Sequence, residues 1–148
     1  MTRRTRIVVW AVVALLGVVG AIQLVPYGRD HTNPPVTAEY AWRSAEARAV
    51  VKKACYDCHS NETVWPWYAN VAPSSWLVQR DVDEGRSRLN FSEWAPGSAV
   101  VAAALGREIA EVVAAGEMPP FQYGIMHSDA RLSDAERQVL VDEFGASP

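Results

Sequence analysis

The pattern of hydrophobic and polar positions opens with one long apolar run. Ile7 to Val25 spans 19 residues with no charge and one strongly polar side chain, Gln23. A helix needs ~20 apolar residues to cross the ~30 Å hydrocarbon layer of a bilayer. Arg3, Arg4 and Arg6 precede the run. The positive-inside rule therefore predicts a single span of the cytoplasmic membrane, with the N-terminus inside and the remaining chain on the extracytoplasmic side.

A cleaved signal peptide is the competing interpretation of this run. The apolar region of a signal peptide is usually ~7–15 residues and ends in a small-residue cleavage site. The run is longer, and the following "GAIQLVP" lacks an A-x-A pattern. We expect residues 1–26 to be an uncleaved anchor, although both interpretations export the domain that follows.

The segment after the anchor is polar and contains paired prolines. Residues 27–36, "YGRDHTNPPV", predict a short, semi-stiff linker, in which we expect His31 to be solvated. Residues 37–148 have the length of one domain.

Beyond the linker, apolar positions recur at helical spacing and no segment keeps a period of two. Val101, Leu105, Ile109 and Val112 repeat on one helical face before Gly116. Ser133 and Glu136 form a capping-box pattern at the start of the last segment. The pattern predicts a mainly α fold with aromatic or proline-rich loops between four helices: Thr37 to Ala54, Pro73 to Arg88, Ser98 to Ala115, and Ser133 to Gly145.

The charge distribution narrows the class of partner. The composition, 49% hydrophobic and 21% charged, is that of a globular protein. Three of the 14 basic residues precede the apolar run and all 17 acidic residues follow it, which leaves the exported part with a formal charge of −6. This charge argues against nucleic acid as a partner and favours a protein with a basic patch.

The two cysteines and a histidine lie together in "CYDCHS". Cys55 and Cys58 are about one helical turn apart, so that their sulfurs can meet the two vinyl groups on one edge of a haem, and His59 can bind the iron. This spacing is the attachment signature of c-type haem, and a proximal histidine is its usual axial ligand. The sequence therefore predicts one covalent haem c.

Two other interpretations use the same residues. A disulfide between Cys55 and Cys58 would suit a redox enzyme, but the βαβ pattern of such enzymes is missing. A zinc site needs about four ligands, and it would have to recruit His59 together with His127 or a carboxylate.

The second axial position of the iron has few candidate ligands. Met118 follows a predicted helix and precedes Pro119-Pro120, which would hold its thioether in a stiff loop. We expect Met118 to be the distal ligand. Met126, His127 and an open or water-bound site remain alternatives.

The chain resembles two groups of proteins. The Cys-x-x-Cys-His motif, a distant Met-Pro-Pro loop and the closing "LSDAERQVLVDEF" resemble a monohaem class I cytochrome c. The strings "CYDCHSNETVWPWY", "PSSWLVQRDVDEGRSRLNFSEW" and "MPPFQYGIMHSDARLSDAER" are similar to the small bacterial haem-binding domain family. The resemblance implies haem attachment at Cys55 and Cys58 and ligation by His59.

Several other side chains are candidate neighbours of the haem. Arg86 and Arg88 are candidates for its propionates, with Tyr123 and Asn90 as weaker ones, although an exposed basic face explains the arginines as well. Packing in an ordinary core is an equal explanation for the five aromatic residues that are candidate walls of the haem: Trp65, Trp67, Trp76, Phe91 and Trp94.

These expectations favour a carrier of single electrons. A haem with histidine and methionine ligands changes oxidation state with little ligand movement, and the anchor would keep it near membrane-bound partners. A membrane dehydrogenase, a quinol-oxidising complex or an oxidase would be a suitable redox partner. The alternative is a haem enzyme or sensor, peroxidase-like or gas-binding, with an open distal site and His127 as its acid/base group.

Overall fold

The computed structural model describes residues 2–146, and these residues are mainly helical, which confirms the predicted class. Within them no strand occurs, and the one isolated bridge joins Ala38 to Glu93. The seven α-helices are α1 (Arg3–Ile22), α2 (Ala45–Ala54), α3 (Tyr56–His59), α4 (Ser74–Arg88), α5 (Ala99–Ala114), α6 (Phe121–Met126) and α7 (Asp134–Gly145). Two 3-10 turns cover Trp67–Asn70 and Ser128–Ala130.

The described chain divides into two compact units. The first combines residues 2–32 with 65–83, and the second combines residues 33–64 with 84–146. In the first unit, α1 exposes all of its side chains except part of Ile22, and its length and hydropathy fit a single membrane span. A signal sequence near an N-terminus passes the same test.

The second unit holds a helical core. Helix α7 packs against both α5 and α2, and serine side chains cap the three helices at Ser44, Ser98 and Ser133. The capping box at Ser133 and Glu136 is formed as predicted. The buried apolar core consists of Val50, Val51, Tyr56, Phe91, Ile109, Ala110, Val113, Leu140 and Phe144.

The first predicted helix was too long. It was expected from Thr37, but α2 begins at Ala45. The backbone N–H groups of Thr37 and Tyr40 instead donate to the carbonyls of Ser92 and Phe91. Tyr40 and Trp42 pack against the core, so the burial of aromatic rings outweighs the helix propensity of this alanine-rich segment.

Two predicted loops contain short helical segments. The loop after Asn61 includes the 3-10 turn Trp67–Asn70, and the loop after Glu117 includes α6. Helix α5 ends at Ala114, and Gly116, the predicted stop, follows its C-cap with a φ of +73°. Proline is compatible with the start of a new helix, and Pro120 occupies the N-cap position of α6.

Candidate functional site

The cysteine-histidine motif forms a tight helical turn in the second unit. Cys55 ends α2 and begins α3. Its carbonyl accepts hydrogen bonds from the backbone N–H groups of Cys58, at 3.2 Å, and His59, at 2.9 Å. The two thiols and the imidazole therefore follow one another on a single turn. Burial raises the pKa of Cys55 to about 12, with a further contribution from Cys58, so this sulfur is a neutral thiol at physiological pH.

Two backbone carbonyls hold the ring of His59. Its Nδ1 lies 3.1 Å from the carbonyl oxygens of both Gly85 and Leu89. Because a carbonyl only accepts, Nδ1 carries the proton. Burial lowers the pKa of His59 and favours the neutral ring. A neutral ring protonated at Nδ1 presents the lone pair of Nε2, which is the form that binds a metal.

A glycine lets α4 approach the motif. A Cβ atom at Gly85 would lie 2.3 Å from the carbonyl oxygen of Cys58 and 2.9 Å from its Cβ. Only a residue without a side chain fits this approach, which also brings the Gly85 carbonyl to the His59 ring. The role of Gly85 could not be predicted from the sequence, because a lone glycine inside a helix gives no signal of what it faces.

The side chains that were candidates for the haem propionates make polar contacts within the protein. Arg86 donates to the carbonyl of Ser60 at 2.8 Å and to Thr63 Oγ1 at 3.0 Å, so it braces the chain that follows His59. Asn90 donates to Asn61 Oδ1. The side chain of Arg88 is mostly exposed and lies 4.0 Å from Glu84, which fits the exposed basic face that was the competing explanation.

A cavity of about 240 Å³ lies beside the His59 support. Leu89 lines it, and the carbonyl of the same residue accepts the His59 hydrogen bond. Trp94 and Leu105 also line the cavity. Both pack against the core, and Cys55 and Met118 contact the same core without lining the cavity. The lining also includes Arg86, Arg88, Asn90 and Glu93, so the cavity combines apolar side chains, which suit a flat macrocycle, with polar and charged groups.

The predicted aromatic walls differ in their placement. Trp94 lines the cavity, whereas Phe91 is buried in the core. Trp67 is 76% exposed. Trp65 and Trp76 belong to the first unit. There Trp65 stacks on His31 at 4.7 Å between ring centroids.

His31 itself was expected to be solvated, which is wrong. Its ring is partly buried against Trp65, and its Nε2 lies 3.1 Å from the carbonyl oxygen of Ala69. The polar composition of the linker gives no sign of these two tertiary contacts of the His31 ring.

The three candidate distal ligands have different surroundings. Met118 is partly buried and packs against the core that Cys55 and Leu89 also contact. Met126 is 58% exposed. His127 stacks on Tyr123, with ring centroids 4.2 Å apart. Of the three, Met118 is the one that shares apolar surroundings with the motif.

A hydrogen bond joins the segment after Met118 to the motif. Tyr123 Oη donates to Asp57 Oδ2 at 2.6 Å. Asp57 lies between Cys55 and Cys58, so α6, which starts three residues after Met118, is fastened to the motif. Burial and the neighbouring Asp57 raise the pKa of Tyr123, which keeps the phenol protonated as the donor. The hydrogen bond between Tyr123 and Asp57 could not be predicted from the sequence, because the two residues are 66 positions apart.

The donor set fits a haem better than the alternatives. Cys55 and Cys58 are thiols in the structure. Among residues 2–146, no three His, Cys, Asp or Glu side chains are grouped to hold a metal ion, so the zinc interpretation gains no support. Two thiols separated by two residues and an imidazole that presents its Nε2 lone pair are the groups that a c-type haem requires.

Comparison with known proteins supports haem binding by this chain. Residues 17–145 match the family described as the haem-binding domain. No curated protein and no solved structure matches the chain. Because the match covers most of the chain, it confirms the expectation of haem binding. The chain belongs to the haem-binding domain family.

Proposed function

We propose that the protein is a membrane-anchored monohaem c-type cytochrome that transfers single electrons on the outer side of the cytoplasmic membrane. One observation carries the proposal: His59 follows Cys55 and Cys58 on one turn, and its Nδ1 donates to two backbone carbonyls. In a protein of a haem-binding family, this arrangement supports thioether bonds from the two sulfurs and ligation of the iron by Nε2.

The residues around His59 orient and tune it as a ligand. The carbonyls of Gly85 and Leu89 fix both the tautomer and the direction of the ring. Hydrogen bonding at Nδ1 also makes Nε2 a stronger electron donor. Cys55 and Cys58, as bonded sulfurs, would keep the haem in place during changes of oxidation state.

Met118 is the proposed distal ligand. It packs against the same apolar core as Cys55 and Leu89, and the bond from Tyr123 to Asp57 fastens the chain that follows it to the motif. When bound, a haem with imidazole and thioether ligands supplies a one-electron couple of raised potential. The residues of the chain then have only to hold both ligands and limit access of water.

The anchor and the surface charge suggest where the electrons come from and go. A single span through α1 would confine the domain to the membrane surface and raise its effective concentration near membrane-bound proteins. A formal charge of −6 after the anchor would favour docking on a basic patch. A dehydrogenase, a quinol-oxidising complex or an oxidase in the same membrane fits both features.

Covalent attachment is tested with the full-length protein produced in cells with a c-type maturation system. We expect haem staining to persist on a denaturing gel and the intact mass to increase by one haem. The double variant Cys55→Ser/Cys58→Ser should lose the stain, and each single variant should retain less of it. Unmodified thiols in the correctly matured protein would contradict the proposal.

The distal ligand is tested by comparing three variants, Met118→Ala, Met126→Ala and His127→Ala. We expect the ferric methionine-to-iron absorption band to disappear in Met118→Ala only. Loss of the band in Met126→Ala would transfer the assignment to Met126. A wild-type spectrum without the band would show that no methionine ligates the iron.

A second candidate, a haem enzyme or sensor, is favoured by one observation. Asp57, Tyr123 and His127 form a chain of contacts that begins inside the motif, and such a chain can supply an acid/base group. This function requires an open distal site. A high-spin ferric spectrum that responds to cyanide or peroxide would support it over the electron carrier.

A further inference from the structure

The first unit contains an uncharged, aromatic segment outside the apolar helix. Trp65–Gln79 is 15 residues long, has no Asp, Glu, Lys or Arg, and holds three of the six tryptophans together with Tyr68. No stretch after Arg29 is free of charge for longer than the one that contains it. The rest of the exported chain is densely charged, so this composition requires an explanation.

Hydrogen bonds fasten the segment to the end of α1. Gln23 Oε1 accepts from the backbone N–H of Ala72 at 3.0 Å, and Gln23 Nε2 donates to the carbonyl of Ala72 at 2.9 Å. The amide side chain thus pairs with both the backbone N–H and the backbone carbonyl of one residue, Ala72. The same Nε2 also donates to the Val19 carbonyl at 3.0 Å. Ala72 is therefore held at the level where α1 ends.

The chain after α1 packs on the same segment. Gly28 has a φ of +79°, and a Cβ atom there would lie 2.2 Å from the carbonyl oxygen of Ser75. His31 binds the carbonyl of Ala69 and stacks on Trp65. These contacts extend along residues 65–75, so the segment and the end of α1 form one folded body.

Large apolar side chains of this body are exposed. Trp67 is 76% exposed and Leu77 is 53% exposed. Leu24, Val25, Tyr27 and Val71 of the same body are also exposed. Exposed apolar side chains on and beside an uncharged segment indicate contact with another apolar phase. Tryptophan and tyrosine in particular concentrate at the interface between membrane and water.

We propose that Trp65–Leu77 lies in the interfacial layer of the membrane that α1 crosses, with Trp67 and Leu77 in contact with lipid. The proposal rests on the anchoring part of the proposed function. Gln23 sets the depth, because it joins Ala72 to the last turn of the span. Arg29 donates to Gln23 Oε1 at 3.0 Å, which places a cation at the level of the lipid headgroups. The anchor thus continues into a second, interfacial contact.

The test uses the full-length, haem-loaded protein in phosphatidylcholine nanodiscs. The lipid carries a photoreactive group on its acyl chain, close to the headgroup. After irradiation, labelled peptides are identified by mass spectrometry. We expect labels in α1 and in Trp65–Leu77. The variant Trp67→Glu/Leu77→Glu should reduce labelling of the second peptide several-fold. Val100→Glu, which replaces an exposed valine of α5, is the matched control and should leave it unchanged.

The outcomes separate this proposal from the proposed function. Labels in α1 without labels in Trp65–Leu77 would overturn the interfacial contact and leave the anchor supported. An absence of label in both peptides would overturn the contact and the anchor together. The haem stain of the same samples reports on haem attachment independently of either result. Labelling that is unchanged in Trp67→Glu/Leu77→Glu would also overturn the assignment of the contacting side chains.

Discussion

At the scale of single residues, the site depends on groups that bring backbone carbonyls to His59. The ring is oriented by Gly85 and Leu89, neither of which belongs to the motif. The three motif residues are candidates from the sequence alone, because their spacing is the attachment signature of c-type haem. Gly85 and the bond from Tyr123 to Asp57 could not, because their roles depend on chain segments that meet only after folding.

Replacement of Gly85 should impair haem attachment. In Gly85→Ala the new Cβ would meet the Cys58 carbonyl at 2.3 Å, so α4 or the motif must shift and the His59 hydrogen bonds must lengthen. We expect several-fold less covalent haem per protein, measured by pyridine haemochrome absorbance. Gly17→Ala, where nothing lies within 4 Å of the added Cβ, is the matched control. Equal haem content in both variants would contradict the role of Gly85.

Removal of the Tyr123 hydroxyl should loosen the segment that follows Met118. Tyr123→Phe keeps the aromatic ring that stacks on His127 and removes the hydrogen bond to Asp57. A hydrogen bond to a charged acceptor stabilises by about 1.5–3 kcal/mol, so the thermal unfolding midpoint should fall by several degrees. Tyr27→Phe, at a half-exposed tyrosine, should leave it unchanged. An equal midpoint in Tyr123→Phe and wild type would show that the bond does not stabilise the fold.

At the scale of elements, the sequence predicted the helices with clear end signals and misplaced the others. Helix α7 was predicted well because Ser133 and Glu136 form a local capping box. The start of α2 was misplaced because Tyr40 and Trp42 are drawn into the core, which is a tertiary effect. The short α6 was missed because its prolines resemble a loop signal. The sequence therefore predicts a helix end only where contacts between neighbouring residues set it.

The carboxylate of Glu136, at the start of α7, should make the stability of the fold depend on pH. Bonds from Lys53, then Ser133, lower the pKa of Glu136 to about 2. Because the pKa in the folded state lies below the ordinary glutamate value of 4.5, this stabilisation is present above pH 4.5 and is lost as the pH falls towards about 2.

The variant Glu136→Gln tests this dependence. Because it removes the carboxylate of the cap, it should cost about 1 kcal/mol of unfolding free energy at pH 7. The difference from wild type should shrink between pH 4.5 and 2, measured by denaturant titration of helical circular dichroism. Lys53→Met should reproduce part of the effect, and adding Glu136→Gln to it should cost less than in wild type. A difference that stays constant with pH would contradict the assignment.

At the scale of the whole molecule, net charge influences the rate at which charged reactants meet the protein. The chain after residue 25 carries a formal charge of −6. Long-range attraction to a cationic reactant is screened by salt, whereas repulsion of an anionic reactant is relieved by it. The sign of the salt effect therefore reports on the net charge that a redox partner meets.

Electron transfer to small reagents should show this sign. We expect oxidation of the reduced protein by cobalt tris(phenanthroline), a cation, to slow as ionic strength rises. Oxidation by ferricyanide, an anion, should accelerate under the same conditions. Stopped-flow absorbance at both ionic strengths checks the pair. If both oxidation rates changed in the same direction as ionic strength rises, the net charge of the protein would not govern the reaction.

The two-way pairing of Gln23 with Ala72 matters for anyone who wishes to purify a water-soluble form. A fragment that starts after residue 26 would leave the backbone N–H and carbonyl of Ala72 without the amide that satisfies them. Such a truncation would therefore disturb the aromatic segment as well as remove α1. Substituting polar side chains along the outer surface of α1, while retaining Gln23, is the gentler route to solubility.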